Sequence, residues 1–464
     1  MIDWDTLSPL TSLTHLDGRN SSKLVSLKPY FSEFAWIQTR LRVMIGYALS
    51  VAVWHGNISL SVSQTRKCTA LYERFSLVEA QDVVTIERTV NHDLKAVELY
   101  LISRLKRRGL LRLVPYINLG LGSEDINSMA FALLLSGSRE EVMIPEMKKI
   151  IKILMEIAHN QRETVMIART HAQPANVTTF GKEIANTLSR LGDETELLQS
   201  MKFQAKCSGE VGTYQAFMGL DKSFDAMDFC ARFIRSLGLI PCPVSTQIAP
   251  YDNLIRYLQC LFRINSILMD FCKNIWLYVL LGYLRIKKVD AEVGSAGMPH
   301  KVNPIYFEGA EGGIEVANGM IEVFARKLPV NRLQRDFSDS TMRRNIVMPM
   351  ALSLLSYQSI VEALARIEVD RDAMHKDLNN HAEVWTETVK TYGITHGVVD
   401  MYDRLKKATR GRVLTQQDLP RLISSLPLNK KEQTELQSLC DGNHNPYPGR
   451  IVEEVVKRAK KIFV

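Results

Sequence analysis

Gly294-Ser295-Ala296-Gly297-Met298-Pro299-His300-Lys301-Val302-Asn303-Pro304, closed by Glu308, is the stretch from which the rest of the chain is read. Two glycines and two prolines around a serine, a lysine and an asparagine do not form a regular helix or strand interior. From Pro304 to Arg326 the sequence is helix-compatible, with Pro304 or Ile305 as a first-turn residue. The stretch therefore predicts a glycine-hinged loop feeding a helix N-terminus, where backbone N–H groups and Lys301 favour an anion. Gly294 and Gly297 flank Ser295 and Ala296, so the loop from Asp290 to Asn303 is expected to close on a ligand.

Outward from this stretch, 464 residues with 46% hydrophobic content allow a large core and several domains. The net charge of +8 suits an acidic partner, but the basic pairs, such as Arg107-Arg108, Lys148-Lys149 and Arg343-Arg344, are scattered. A solvated surface, not a nucleic-acid interface, is the expectation. Seven cysteines without a Cys-x-x-Cys fit a reduced, cytoplasmic chain with no structural zinc site. Met1-Ile2-Asp3-Trp4-Asp5 lacks the basic and apolar blocks of a signal peptide. The most apolar window, Ile267 to Leu284, carries Asp270, Lys273 and Asn274 and reads as a core helix, not a membrane span.

Long segments of helical periodicity cover roughly 124–138, 142–163, 181–207, 252–288, 305–326 and 342–369. In the fourth, Leu254, Leu258, Leu261, Ile264, Leu268, Ile275 and Val279 form an apolar stripe. Strand-like alternation is nearly absent, so an all-α bundle of extended helices is predicted. The glycine-containing run Leu110 to Gly122 and the shortening of segments after Val369 mark boundaries. The expected domains are helical, at 1–111, 112–369 and 370–464.

The spacing of Ser295, Met298-Pro299, Lys301, Asn303 and Glu308 resembles the signature loop of the fumarase/aspartase superfamily. Within it, Met298-Pro299-His300-Lys301-Val302-Asn303-Pro304-Ile305 and the run Lys327-Leu328-Pro329-Val330 to Gln334-Arg335-Asp336 resemble the bacterial adenylosuccinate lyases. The likeness is strongest from Asp82 to Arg371. It implies three helical domains, with the long central helices of four chains in one homotetrameric bundle and active sites shared between subunits. It also implies release of fumarate from adenylosuccinate to give AMP, and from the succinylated aminoimidazole carboxamide ribotide. No cofactor and no metal are implied.

Such a release needs a base for the proton beside a carboxylate, an acid for the departing nitrogen, and donors for the developing charge. By resemblance Ser295 is the base, with Lys301 and Asn303 beside it, and His171 in Arg169-Thr170-His171-Ala172-Gln173-Pro174 is the acid. Glu308 is the glutamate that orients that histidine. His92 in Asn91-His92-Asp93 is the second family histidine. Arg19, Arg335, Ser340 and Arg344 match nucleotide-binding positions, as do Ser123 and Gln247. Positions 340 and 344 share a face if their segment is helical.

Asn20 replaces the family's tyrosine, Gly122 its threonine, Ala296 its second serine and Gly309 its asparagine, while Ala249 and Tyr251 replace a glutamate and a histidine. Gly122 and Ala296 remove hydroxyls expected near the succinyl carboxylates and are expected to leave space that water fills. Three readings stand: an adenylosuccinate lyase, a paralogous lyase for another N-succinyl compound, and a non-catalytic scaffold. Intact Ser295, Lys301, Asn303, His171 and Glu308 argue against the third.

Overall fold

In the computed structural model, residues 8–54, 58–221, 223–289, 291–294, 297–440 and 445–463 are described. Helices make up 67% of the chain, and the strands among the described residues are short and arranged in two-stranded ladders. The fold is all-α.

The long helices stand where apolar periodicity predicts them: Ser123–Ser138, Ile144–Asn160, Phe180–Ser200, Asp252–Leu280, Ile305–Lys327 and Val347–Leu364. Six of the seven stripe residues of the Asp252–Leu280 helix are buried, Leu254 through Ile275. That helix ends earlier than its periodicity. Gly282, at φ +74°, turns the chain out of the helix, and Leu284–Ile286 then pairs as a strand with Ile367–Val369. The stretch from 338 to 364 is apolar enough to cross a membrane by length and composition, yet 61% of its most apolar 18-residue window is buried within the protein.

The chain forms two compact units. The first comprises residues 1–145, 197–263 and 316–355, and the second comprises 146–196, 264–315 and 356–464. In the first, Glu33–Trp54 packs on Ser123–Ser138, and Leu77–Val90 packs on Asp93–Arg107. Capping boxes start several of these helices, including Ser76 with Glu79 ahead of Leu77–Val90. In the second unit the small C-terminal helices close over one apolar cluster, with Trp385, Tyr392, Leu405 and Ile423 among its members. All seven cysteines are buried thiols.

One element goes against the near-absence of strands. Val165–Thr170 and Gln173–Thr179 form an antiparallel hairpin whose two-residue turn is His171-Ala172. Its strands carry Val165, Ile167 and Val177 against the C-terminal cluster. The first strand opens with a short buried run, Val165-Met166-Ile167, and the second, Gln173–Thr179, is largely polar with one proline, so neither shows strand alternation.

Candidate active site

In the first unit, residues far apart in sequence line a cavity of about 420 Å3. Asn91, His92 and Asp93 reach it from the junction of two helices, and Ser123 from the start of a third. Arg335, Ser340 and Arg344 reach it from the Ser338–Arg344 helix and the turn before it. Helicity from Ser338 puts Ser340 and Arg344 on one face, as their spacing of four requires.

The junction at 91–93 is built by capping. Asn91 takes φ +49° and ends Leu77–Val90. His92 is the N-cap of Asp93–Arg107, its Nδ1 accepting from the Lys95 N–H at 3.2 Å. An Nδ1 turned to the helix start leaves Nε2 as the ring atom free to meet a ligand. Capping and cavity lining are thus performed by one side chain.

The wall behind these residues is a network of buried charge. Glu124 accepts from Arg343 at 2.9 Å and from Asn127 at 2.7 Å, and pairs with Arg335 at 3.2 Å. Burial pushes the Glu124 carboxyl up, but Arg343 and Arg335 outweigh it and hold it below the usual value. Arg40, 1% exposed, binds Asp93 at 2.7 Å and Asn127 at 2.9 Å. Burial likewise pushes Asp93 up, and Arg40 with the Leu94 N–H brings it below normal. Glu33 differs: burial dominates and raises its carboxyl despite Arg40 and Arg344.

Arg335 is anchored on several sides. It donates to Ser340 at 2.8 Å, to Gln247 at 3.4 Å and to Asp339 at 3.3 Å. Tyr251, where the resembled family has histidine, donates to Asp339 Oδ2 at 2.7 Å and so braces the same arginine. Arg344 is the contrast: its side chain is 69% exposed and its pairing with Asp93 is long, at 3.5 Å.

Sequence reasoning missed Glu33, Trp36, Arg40, Glu124, Phe131 and Arg343, which also line the cavity. The signal for three of them was present: positions 33, 36 and 40 repeat at helical spacing along the Glu33–Trp54 helix. Arg40 stands 4.5 Å over the Trp36 ring, and Arg343 5.8 Å from the rings of both Trp36 and Phe131. Together these rings and guanidinium groups suit a flat ring system bearing an anionic group. Arg19 is exposed and Asn20 bonds His15 at 3.1 Å; neither lines this cavity.

His171, Lys301, Asn303 and Glu308 belong to the second unit. His171 and Ala172 sit at φ +52° and +62°, the pair of positive values that a type I′ turn demands. Neither is glycine, so the turn stores strain on the order of 1–3 kcal/mol per residue. The strain presents the His171 ring to solvent at the hairpin tip. Below it, Arg169 bonds Asp377 at 2.5 Å and Tyr283 at 2.9 Å, and Tyr283 also donates to Asp377. Glu308 lies in the first turn of Ile305–Lys327 and accepts from Trp276 Nε1 at 3.1 Å. Among the described residues no hydrogen bond joins it to His171.

Ser295 and Ala296 lie outside the described residues, as does Asp290 of the expected loop. The adjoining backbone folds on itself: Asn303 Nδ2 donates to the Gly294 carbonyl at 3.3 Å. A Cβ on Gly294 would lie 2.3 Å from the Lys301 carbonyl oxygen, so only glycine fits there. Lys301 is exposed, and Gly309 has open space around its Cα.

Solved structures share this fold, two of them as follows. A 3-carboxy-cis,cis-muconate lactonizing enzyme from Pseudomonas putida superposes with a TM-score of 0.72 at 19% identity, covering 94% of this chain and 97% of that one. A fumarate lyase from a Mesorhizobium species gives 0.71 at 18% identity, covering 93% and 97%. Residues 31–319 match the lyase family, and residues 331–444 match the adenylosuccinate lyase C-terminal family. Fold and family match together are those of the fumarase/aspartase superfamily.

Adenylosuccinate lyases from Haemophilus influenzae and Escherichia coli K12 are each 34% identical over 97% of this chain and 99% of their own. The Legionella pneumophila adenylosuccinate lyase is 36% identical over the same shares. The chain belongs to the adenylosuccinate lyase family.

Proposed function

We propose that this chain is a lyase that releases fumarate from adenylosuccinate to give AMP, and from the succinylated aminoimidazole carboxamide ribotide, in purine nucleotide biosynthesis. The observation that carries the reading is the cavity: His92, Ser123, Arg335, Ser340 and Arg344 meet in it, in a chain aligned end to end with adenylosuccinate lyases. The exposed guanidinium of Arg344 and the braced one of Arg335 suit a monophosphate, for which arginine is the best donor. His92 Nε2 and Ser123 serve the purine and succinyl ends.

In the reaction Ser295 takes the proton from the carbon beside a succinyl carboxylate. The C–N bond breaks, the electron pair goes to nitrogen, and His171 gives the nitrogen its proton. Lys301 and Asn303 hold the charge that develops on the carboxylate, and Glu308 orients His171. Arg19, Asn20, Gln247 and Ala296 complete the substrate site.

Because Glu308 is bonded to Trp276 and not to His171 within one chain, we place the completed site between subunits of a homotetramer. Exposed apolar side chains on two long helices support assembly: Leu277 and Leu280 on one, Val316 and Val323 on the other. The three-domain division at 111 and 369 and a cytoplasmic location are part of the same reading.

A second reading, a lyase for a different N-succinyl compound, is favoured by one observation, the carboxylate of Glu210 beside Gly122. Fumarate release followed by its ultraviolet absorbance, with adenylosuccinate and with other N-succinyl compounds, tests both. Release from adenylosuccinate at rates ordinary for an enzyme supports the first; release only from another compound overturns it in favour of the second.

A further inference from the structure

Gly122 precedes the Ser123–Ser138 helix and is its N-cap. The space beside it is occupied. A Cβ built on Gly122 would lie 2.8 Å from Cδ, 2.9 Å from Oε2 and 3.0 Å from Cα of Glu210. Water therefore does not fill the place of a longer side chain at 122, contrary to the expectation from sequence; a carboxylate does.

The backbone on both sides of this contact is held, while the Glu210 side chain reaches it from an exposed position. The Asp125 carboxylate accepts from the Gly122 N–H at 2.8 Å, from Ser208 N–H at 2.9 Å and from Gly209 N–H at 3.0 Å. Lys206, fully buried with Asp125, bonds the same carboxylate at 2.6 Å and the Gly209 carbonyl at 2.8 Å. On the far side a Cβ on Gly212 would lie 2.2 Å from the Ser245 carbonyl oxygen, so the segment is pinned there too. One buried ion pair thus ties the backbone of residues 206–209 to the helix start. Glu210 Oε2 accepts from Gln247 Nε2 at 3.2 Å, and Gln247 Oε1 accepts from Arg335 at 3.4 Å. The carboxylate is one amide away from the guanidinium of the cavity.

A helix N-terminus ordinarily attracts an anion. Here the chain supplies that anion itself, next to Ser123, which lines the cavity. We propose that Glu210 is a specificity-determining residue: its carboxylate, held in the space left by Gly122, opposes a substrate carboxylate at Ser123 and favours a substrate that presents a neutral or donor group there. The proposal rests on the reading that Ser123 belongs to the substrate site.

The test is the isosteric substitution Glu210→Gln, which keeps the contact with Gly122 and an acceptor for Gln247 while removing the charge. At low salt the KM for adenylosuccinate is expected to fall about tenfold, with kcat changed less than about threefold, as removal of a near like charge predicts. High salt should shrink the difference, which a purely structural role would not do. Glu210→Asp, which retains the charge, should keep the high KM. An equal or raised KM in Glu210→Gln overturns the inference. If the unsubstituted chain releases no fumarate, the functional reading fails, and the dissociation constants of adenylosuccinate for both proteins, by calorimetry, decide the inference separately. Tighter binding to Glu210→Gln supports it; equal constants, or binding to neither protein, overturn it.

Discussion

The wall of the cavity and the tip of the hairpin hold polar residues by opposite means. In the wall, Glu124, Arg335, Arg343, Arg40 and Asp93 are buried or half-buried, and each meets several partners. At the tip, His171 is exposed and its position comes from backbone dihedrals and from the Arg169–Asp377–Tyr283 clamp beneath it. Buried charge makes a site costly to disturb, because a lost partner leaves an uncompensated ion. A strained turn holds a group that is cheap to remove and chemically exposed. The first arrangement suits binding and shape; the second suits proton transfer.

The largest expected effect lies in the wall. Glu124→Gln removes the charge between Arg335 and Arg343, and should cost about 3–5 kcal/mol of stability, the usual result of breaking a buried pair. Chemical denaturation reads it. A loss near zero would mean that the two arginines find other partners, and that the wall is no more rigid than the tip.

His171→Asn sharpens the contrast from the other side. Asparagine tolerates the left-handed region, so the turn is kept and only the imidazole is lost. Turnover of adenylosuccinate should fall at least about a hundredfold with an unchanged melting temperature. Near-normal turnover would remove His171 from the acid role. Ser295→Ala should show a turnover loss of the same order.

Arg344 belongs to the wall by position but is exposed like the tip. Arg344→Ala should leave stability within about 0.5 kcal/mol, since its ion pair with Asp93 is long and solvated. The KM should rise roughly tenfold or more, the value of a hydrogen bond to a charged group. A stability loss without a change in KM would place Arg344 with the structural arginines.

The smallest effect is on acid stability. Glu124 and Asp93 are held below their ordinary values of 4.5 and 3.8 in the folded chain. A carboxyl with a depressed folded pKa adds stability that is complete above its unfolded value and is lost as pH falls through the folded one. Stability should therefore decline from about pH 4.5 downward, and Glu124→Gln should flatten that decline. An unaltered slope in the variant would mean that other carboxyls carry it.

Much of the fold could be read before any coordinates. The long helices follow from apolar residues at three- and four-residue spacing, a local pattern that tertiary packing reinforces. The hairpin at His171 was not legible, because its turn lacks glycine and its strands are half polar. The helix limit at Leu280 was missed as well, since periodicity continues past Gly282 and only the backbone turn ends it. Among site residues, those in recognisable motifs were found, and those on helix faces, such as Trp36 and Arg40, were not. A motif is contiguous, whereas a cavity wall is assembled from several elements.

What the sequence by itself determined is the set of long helices, the all-α class, the family, and the identity of His171, His92, Ser123, Arg335, Ser340 and Arg344 as polar groups in motifs. Periodicity and motif spacing are properties of neighbouring residues, so the chain alone specifies them. Tertiary structure alone decided that Glu124 lies between two arginines, that Tyr251 braces Arg335 through Asp339, and that Glu210 fills the space beside Gly122. The contacts that make up these arrangements span from 4 positions, Arg335 to Asp339, to 219, Glu124 to Arg343, and most cross from one element to another. Burial sets their energies, and burial exists only once the chain has folded.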